Sequence, residues 1–169
     1  MTPSPFFHSG GILKEIKLVF DSDTLNKYEE YYFGIHTKAK KKPISNPYHE
    51  SINVWMVMKR PMMNALKQRW KDFIVWFVED QGYSNLHIEK CELSFSTYYS
   101  THRRHDVDNS TPKFIIDGLV ESGFIVDDSS EHITKITLEC LVDTNRPRTE
   151  IIVKILDINE LELKENNNE

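Results

Sequence analysis

The chain has 169 residues, of which 39% are hydrophobic and 28% charged, and a formal net charge of −5. That length fits one domain around one core and excludes two ordinary domains, and no apolar run approaches membrane-spanning length. Net acidity excludes a uniformly basic nucleic-acid binder, so a DNA-binding surface would need positive charge gathered locally.

Residues 1–11 contain Pro3, Pro5, Gly10 and Gly11 and predict a loose leader with no charged-then-apolar signal pattern. A domain is expected over 12–159. It opens with a strand over 12–20 that places Ile16, Leu18 and Phe20 on one side. A short helix is expected over 24–34. The stretch 37–50, with Lys38, Lys40, Lys41, Lys42, Pro43 and Pro47, predicts a mobile basic loop. From Pro61 to Asp80 the period turns helical, with Met62, Leu66, Trp70, Phe73 and Phe77 forming a stripe for the core or a dimer interface. Pro61 suits the first turn and Gly82 the stop.

A strand follows over 86–98, with Cys91, Leu93 and Phe95 on one face. After a polar segment, Thr111-Pro112 opens a second main helix, with Thr111 as cap, Pro112 in the first helical position and Gly123 at the close. Two more strands, 133–142 and 150–158, are expected to pair through an Asp143–Arg148 turn, ahead of an acidic, disordered tail at 160–169. The class is therefore α+β, a single domain with a mixed sheet packed against two main helices. Cys91 and Cys140 both fall in apolar strands, where a free thiol is the usual outcome, and the expected setting is reducing and cytoplasmic.

The chemistry is concentrated in Asp106-Val107-Asp108-Asn109. In an extended backbone, residues i and i+2 point to one side, so two carboxylates could converge on one cation. Hard divalent ions take such oxygen ligands. Asp127 and Asp128 lie beyond the next helix, roughly 16 Å away along its axis, and join the first pair only if the 124–128 turn curls back. A metal held by carboxylates lowers the pKa of bound water and stabilises a departing alkoxide, as phosphodiester hydrolysis requires. Lys113 would add positive charge without being a ligand. Arg103 and Arg104 just upstream, with Lys59 and Arg60 ahead of the long helix, are candidate phosphate contacts.

Each piece also has a plainer meaning. Asp-x-Asp is common in turns and caps, Asp127-Asp128-Ser129-Ser130 reads as a solvated turn, and paired arginines as a solvated face. A calcium loop fails because Thr111 stands where the required Gly belongs and Asp117 where a bidentate Glu is usual. A glycosyltransferase Asp-x-Asp site lacks the repeated strand–helix units of a nucleotide-binding frame.

Taken together, Arg103-Arg104-His105-Asp106-Val107-Asp108-Asn109, Lys113, Asp117, Gly123 and Asp127-Asp128-Ser129 resemble the RusA family of Holliday-junction resolvases. The match is strong over about residues 103–130, with weaker echoes at Ser51-x-Asn53 and in the C-terminal strands. The resemblance implies a RusA-like fold and a homodimer that cleaves branched DNA with Mg²⁺, for which Mn²⁺ substitutes, leaving a 5′-phosphate and a 3′-hydroxyl. It assigns the essential carboxylates to Asp106, Asp108 and Asp128, with Asp127 as the fallback ligand, and the essential lysine to Lys113. Two positions depart from the family pattern. One extra residue separates Asn109 from Lys113, which would rotate Lys113 relative to the carboxylates, and His105 stands where Arg is common. The competing expectation is a non-catalytic DNA-binding or scaffold protein that keeps the fold.

Overall fold

A computed structural model describes residues 15–156. The leader, the expected strand residues 12–14 and 157–158, and the acidic tail lie outside the described residues. Strands β1 (Glu15–Asp21), β2 (Cys91–Tyr99), β3 (Ile133–Val142) and β4 (Arg148–Ile155) form one mixed sheet in the order β1-β4-β2-β3. β4 runs antiparallel to both β1 and β2, whereas β3 runs parallel to β2. One face is apolar: Ile16, Leu18 and Phe20 of β1, Leu93 and Phe95 of β2, and Ile151 and Val153 of β4 are all buried. The alternation legible in the sequence is the alternation of these faces.

The expected hairpin between the last two strands does not form, because β2 lies between them. Strands two places apart in a sheet are about 9.5 Å from each other, a gap that a few residues span. The 143–147 link does so across the end of β2. Asp143 N–H donates to the Tyr99 carbonyl at 2.9 Å, and the Asp143 carboxylate accepts from Asn145 N–H, Arg146 N–H and the Arg148 guanidinium. A turn signal is the same whether the joined strands touch or flank a third.

The parallel β2–β3 pair needs a crossover. It is supplied by residues 100–132, which contain a 3-10 turn (Val107–Ser110) and a helix, and this crossover holds the whole acidic constellation.

Among the described residues the helices are α1 (Ser22–Ile35, 14 residues), where a short helix is expected, a single turn α2 (Ile52–Trp55), which is not expected, and the two main helices α3 (Arg60–Asp80, 21 residues) and α4 (Lys113–Glu121, 9 residues). Asp21 caps α1 through a reciprocal box with Thr24. On α3, Leu66, Trp70, Phe73, Ile74, Phe77 and Val78 are buried, and Phe20 meets Phe73 and Phe77 edge to face at 5.2 and 5.5 Å. Met62, expected on this stripe, is 59% exposed, and burial on α3 begins only at Leu66. α4 lies flush on α3: a Cβ on Gly118 would stand 2.6 Å from Ile74 Cβ. Gly123, at φ +72°, then reverses the chain.

Three local expectations are corrected. The strand expected from 86 begins at Cys91, because Asn85 and His87 adopt positive φ and leave only an isolated bridge between Ile88 and Ile125. The 37–50 segment is not loose along its length. Its lysines are exposed, but Pro43, Ile44, Pro47 and His49 are buried, and the Thr149 hydroxyl donates to the Pro47 carbonyl at 2.7 Å. Thr111 does not cap α4: Pro112 holds that position without a side-chain bond, and the Thr111 hydroxyl donates to the Asp108 carbonyl at 3.0 Å. Cys91 is buried and Cys140 half-buried, both as free thiols, and burial pushes the Cys91 thiol up to about 11. Among the described residues no helix is long and apolar enough to cross a membrane.

Candidate functional site

Asp106 is extended, but the chain then tightens. Asn109 N–H donates to the Asp106 carbonyl at 3.1 Å and the Ser110 hydroxyl to the Val107 carbonyl at 2.6 Å, forming the 3-10 turn. Asp108 therefore lies inside a turn rather than in an extended strand. Strand alternation, on which the expected convergence of Asp106 and Asp108 rested, does not apply there. The cause is local: Asp, Asn, Ser and Thr offer short-range acceptors and donors that compete with extended structure. Both carboxylates are exposed.

The basic run ahead of them is partly committed. Arg104 Nε donates to Asp106 Oδ1 at 3.3 Å, and His105 stacks on Tyr99 with centroids 3.6 Å apart and planes 4° from parallel. Arg103 is exposed, as are Lys59 and Arg60 at the start of α3, and none of the three makes a salt bridge among the described residues. Thus the candidate phosphate contacts are open, apart from Arg104.

At the other side of the crossover, the first residue of α4 is Lys113. Its ammonium donates to Asp117 Oδ1 at 2.7 Å and to Asp128 Oδ2 at 3.1 Å. Asp128 arrives there because the chain after Gly123 folds back. Phe124 N–H and Ile125 N–H both donate to the Leu119 carbonyl, Val126 N–H donates to the Ile88 carbonyl, and the Phe124 and Ile125 side chains are fully buried. The turn thus folds back to the start of α4, and the extra residue before Lys113 does not stop its ammonium from reaching Asp128. Asp127 is engaged differently. The Ser129 side chain and neighbouring backbone N–H groups hold its carboxyl below the usual range, so it closes its own turn while Asp128 faces Lys113.

Two participants were not among the expected site residues. Asp117 stands out in the sequence only as part of a pattern, and Lys67 only as a charged residue off the apolar stripe of its helix. Asp117 Oδ2 is buried without a hydrogen bond; Lys67 reaches it as an ion pair at 3.2 Å. One turn on, Lys71 pairs with Glu121. A basic i,i+4 pair on one helix, Lys67 and Lys71, and an acidic i,i+4 pair on the other, Asp117 and Glu121, were the available signal. The result is an alternating chain of charge, Lys67, Asp117, Lys113, Asp128. The hydrogen bond to Asp117, opposed by burial and helped by Asp128, raises the Lys113 pKa, so the ammonium stays charged.

His49 supports this arrangement from the 37–50 segment. Its Nε2 accepts from Phe114 N–H at 3.2 Å, supplying the α4 cap that Thr111 does not, while Nδ1–H donates to the Glu50 carbonyl at 2.7 Å. Burial lowers its pKa to about 4, which keeps the ring neutral and Nε2 able to accept. Glu50 in turn accepts from Trp70 Nε1 at 2.6 Å. Beside this network a cleft of about 660 Å³ is lined by Lys41, Lys42 and Arg69 together with Tyr32, Leu66 and Glu50.

The donors suit a hard divalent ion in kind, since Asp106, Asp108 and Asp128 are exposed carboxylates. Asp117 adds a buried oxygen with no hydrogen bond. Their placement is another matter. Among the described residues no group of three or more His, Cys, Asp or Glu is close enough to hold a metal, and Arg104 and Lys113 occupy Asp106 and Asp128. Exposed Asp side chains turn at little cost, so the carboxylates would have to exchange these cations for an ion. No protein-family model matches the chain, and no curated protein matches it.

Proposed function

We propose that this chain is a RusA-like, metal-dependent endonuclease that cuts branched DNA as a homodimer. The observation that carries the reading is the return of Asp128 to Lys113 at 3.1 Å, at the end of the same crossover that begins with Asp106 and Asp108. A solvated Asp-Asp turn has no need of that contact. In this reading Asp106, Asp108 and Asp128 would hold Mg²⁺ or Mn²⁺, which when bound supplies an acidified water and neutralises the leaving oxygen.

The chain's own groups do the rest. Lys113, freed from Asp128, turns its ammonium toward the negative phosphoryl oxygens, while Asp117 keeps it near the start of α4. Arg103, Arg104, Lys59 and Arg60 grip flanking phosphates and fix the strand. The acidic net charge is compatible with this because those cations are gathered on exposed loops and helix starts. A two-fold dimer would offer two such sites to the two-fold symmetry of a four-way junction.

A second reading, a DNA-binding scaffold without chemistry, is favoured by one observation: the acidic groups are already matched by Lys113 and Arg104. Incubation of labelled four-way junction, flap and plain duplex with Mg²⁺, Mn²⁺ or EDTA separates the two. Metal-dependent nicking of branched DNA supports the nuclease; binding of the same DNA with no nicking in any metal supports the scaffold.

A further inference from the structure

The cleft beside His49 and Glu50 shares no lining residue with the acidic crossover. Its volume of about 660 Å³ falls within the roughly 300–1,000 Å³ of small-molecule sites. Three elements wall it: α1 contributes Tyr32, the 37–50 segment Lys41, Lys42 and Glu50, and α3 Leu66 and Arg69. Leu66 and Arg69 share one face of their helix, the leucine buried and the arginine exposed. The opposite wall is held in place by the buried Pro43 and Ile44 and by the bond from Thr149 to Pro47. Charge here runs against the rest of the molecule. The chain carries 26 acidic residues against 21 basic ones, yet three cations and a single carboxylate line this cleft. Lys42 pairs with Glu29 at 3.3 Å, whereas Lys41 and Arg69 make no salt bridge among the described residues. Glu50 does not neutralise them. Its Oε2 accepts from Trp70 Nε1 at 2.6 Å, and its Oε1 makes no hydrogen bond among the described residues.

We propose that this cleft binds a nucleotide, a phosphate joined through a sugar to an aromatic base. Lys41 and Arg69, with Lys42 beside them, offer charge-assisted donors to the phosphate. The planar guanidinium of Arg69 suits two of its oxygens at once. A phosphate alone would leave most of the volume and the apolar wall unused. Tyr32 and Leu66 supply an aromatic and an aliphatic surface on which a base stacks and sheds water. Glu50 Oε1 is an acceptor that a sugar hydroxyl or a base amine satisfies. An acidic peptide would set carboxylates against Glu50 and offer no ring to Tyr32. The same chemistry is carried by a free nucleotide and by the 5′-phosphorylated terminal nucleotide of a strand.

This inference stands whether or not the acidic crossover cuts DNA, so its test reads binding alone, in EDTA. Isothermal titration calorimetry of the full chain is expected to show saturable binding of dAMP, whose amino group suits Glu50. Inorganic phosphate and deoxyadenosine should each bind at least about tenfold more weakly. Arg69→Gln and Lys41→Gln should each weaken dAMP at least about fivefold. Both side chains are exposed, so neither change should unfold the chain, which circular dichroism checks. Lys40→Gln removes the same charge from the same run outside the cleft and should change affinity less than about twofold. Tyr32→Leu should weaken dAMP about fivefold or more and leave the weak binding of inorganic phosphate unchanged. Two oligonucleotide arms identify the source. A 5′-phosphorylated strand that binds at least about tenfold more tightly than its 5′-hydroxyl form, with the difference lost in Arg69→Gln, points to a strand end. Binding of dAMP without that difference points to a free nucleotide. The proposal is overturned if dAMP shows no saturable binding by about 10 mM. Inorganic phosphate binding as tightly as dAMP overturns it too. So does Lys40→Gln weakening dAMP as much as Lys41→Gln, the mark of a diffuse basic surface.

Discussion

Lys113 Nζ lies 3.1 Å from Asp128 Oδ2 across 15 residues of sequence, joining the first residue of α4 to the turn that follows it. Both side chains are more than two-fifths exposed, at 46% and 42%, so this contact adds little to stability. Its value under the proposed function is in placing charge. Asp128→Asn and Lys113→Met are therefore expected to leave unfolding free energy within about 1 kcal/mol of wild type, while metal-dependent cleavage falls about 10²- to 10³-fold. Urea unfolding alongside a single-turnover cleavage assay separates the two effects. Unfolding of either variant at markedly lower denaturant would make the contact structural instead.

His49 gives a pH dependence of defined sign. Its folded pKa, about 4, lies below the ordinary histidine value of 6.5, so between those values the unfolded chain binds more protons than the folded one. The stabilisation from neutral His49 is complete above about pH 6.5 and is lost as pH falls toward 4, a total of about 2–4 kcal/mol. Urea unfolding from pH 7.5 to 4.5 should show this loss, and His49→Gln, which offers an acceptor but does not titrate, should flatten the slope. An equal slope in both proteins would assign the acid sensitivity elsewhere.

Gly118 sets how closely α4 approaches α3. The Cβ of Gly118→Ala would sit 2.6 Å from Ile74 Cβ, a backbone-proximal atom that cannot rotate away. The helices must separate, costing about 1–3 kcal/mol. Because Lys67 and Asp117 bridge the same two helices, cleavage should fall as well under the proposed function. Calorimetric melting of Gly118→Ala checks the first part; a melting temperature at or above wild type would show that the interface has slack.

Lys67 and Asp117 are expected to couple. Lys67→Met leaves Asp117 Oδ2 buried without its cation, a loss of about 1 kcal/mol after allowing for the 41% exposure of Lys67. In a double-mutant cycle with Asp117→Asn, the combined loss should fall short of the sum by about 0.5–1 kcal/mol. Strict additivity would show that the pair contributes no interaction energy.

Much of the fold was legible because burial imposes a period. Ile16, Leu18 and Phe20 alternate as a half-buried strand must, and Leu66, Trp70, Phe73 and Phe77 recur as one face of a helix must. What periodicity could not convey was which strands are neighbours. Asp143 carries turn chemistry equally suited to a hairpin or to a link across β2, and only the three-dimensional sheet decides between them. The same holds at the site. The Asp-x-Asp spacing suggested convergence by alternation, but Asn109, Ser110 and Thr111 supply local bonds that wind the segment into a turn. The roles of His49 and Lys67 were not legible because their partners, Phe114 N–H and Asp117, are 65 and 50 positions away, and the charge spacing on each helix does not say which distant faces meet.

The central claim is that the carboxylates of this crossover serve phosphodiester hydrolysis. Its most direct test is cleavage of a labelled four-way junction with Mg²⁺ or Mn²⁺ by the wild-type chain and by Asp106→Asn, Asp108→Asn and Asp128→Asn. The prediction is nicking by the wild type that EDTA abolishes, and variants that bind the junction as well or better but cut it at least about 10²-fold more slowly. Junction binding without cleavage by the folded wild-type chain in either metal, or cleavage that survives all three substitutions, would contradict it.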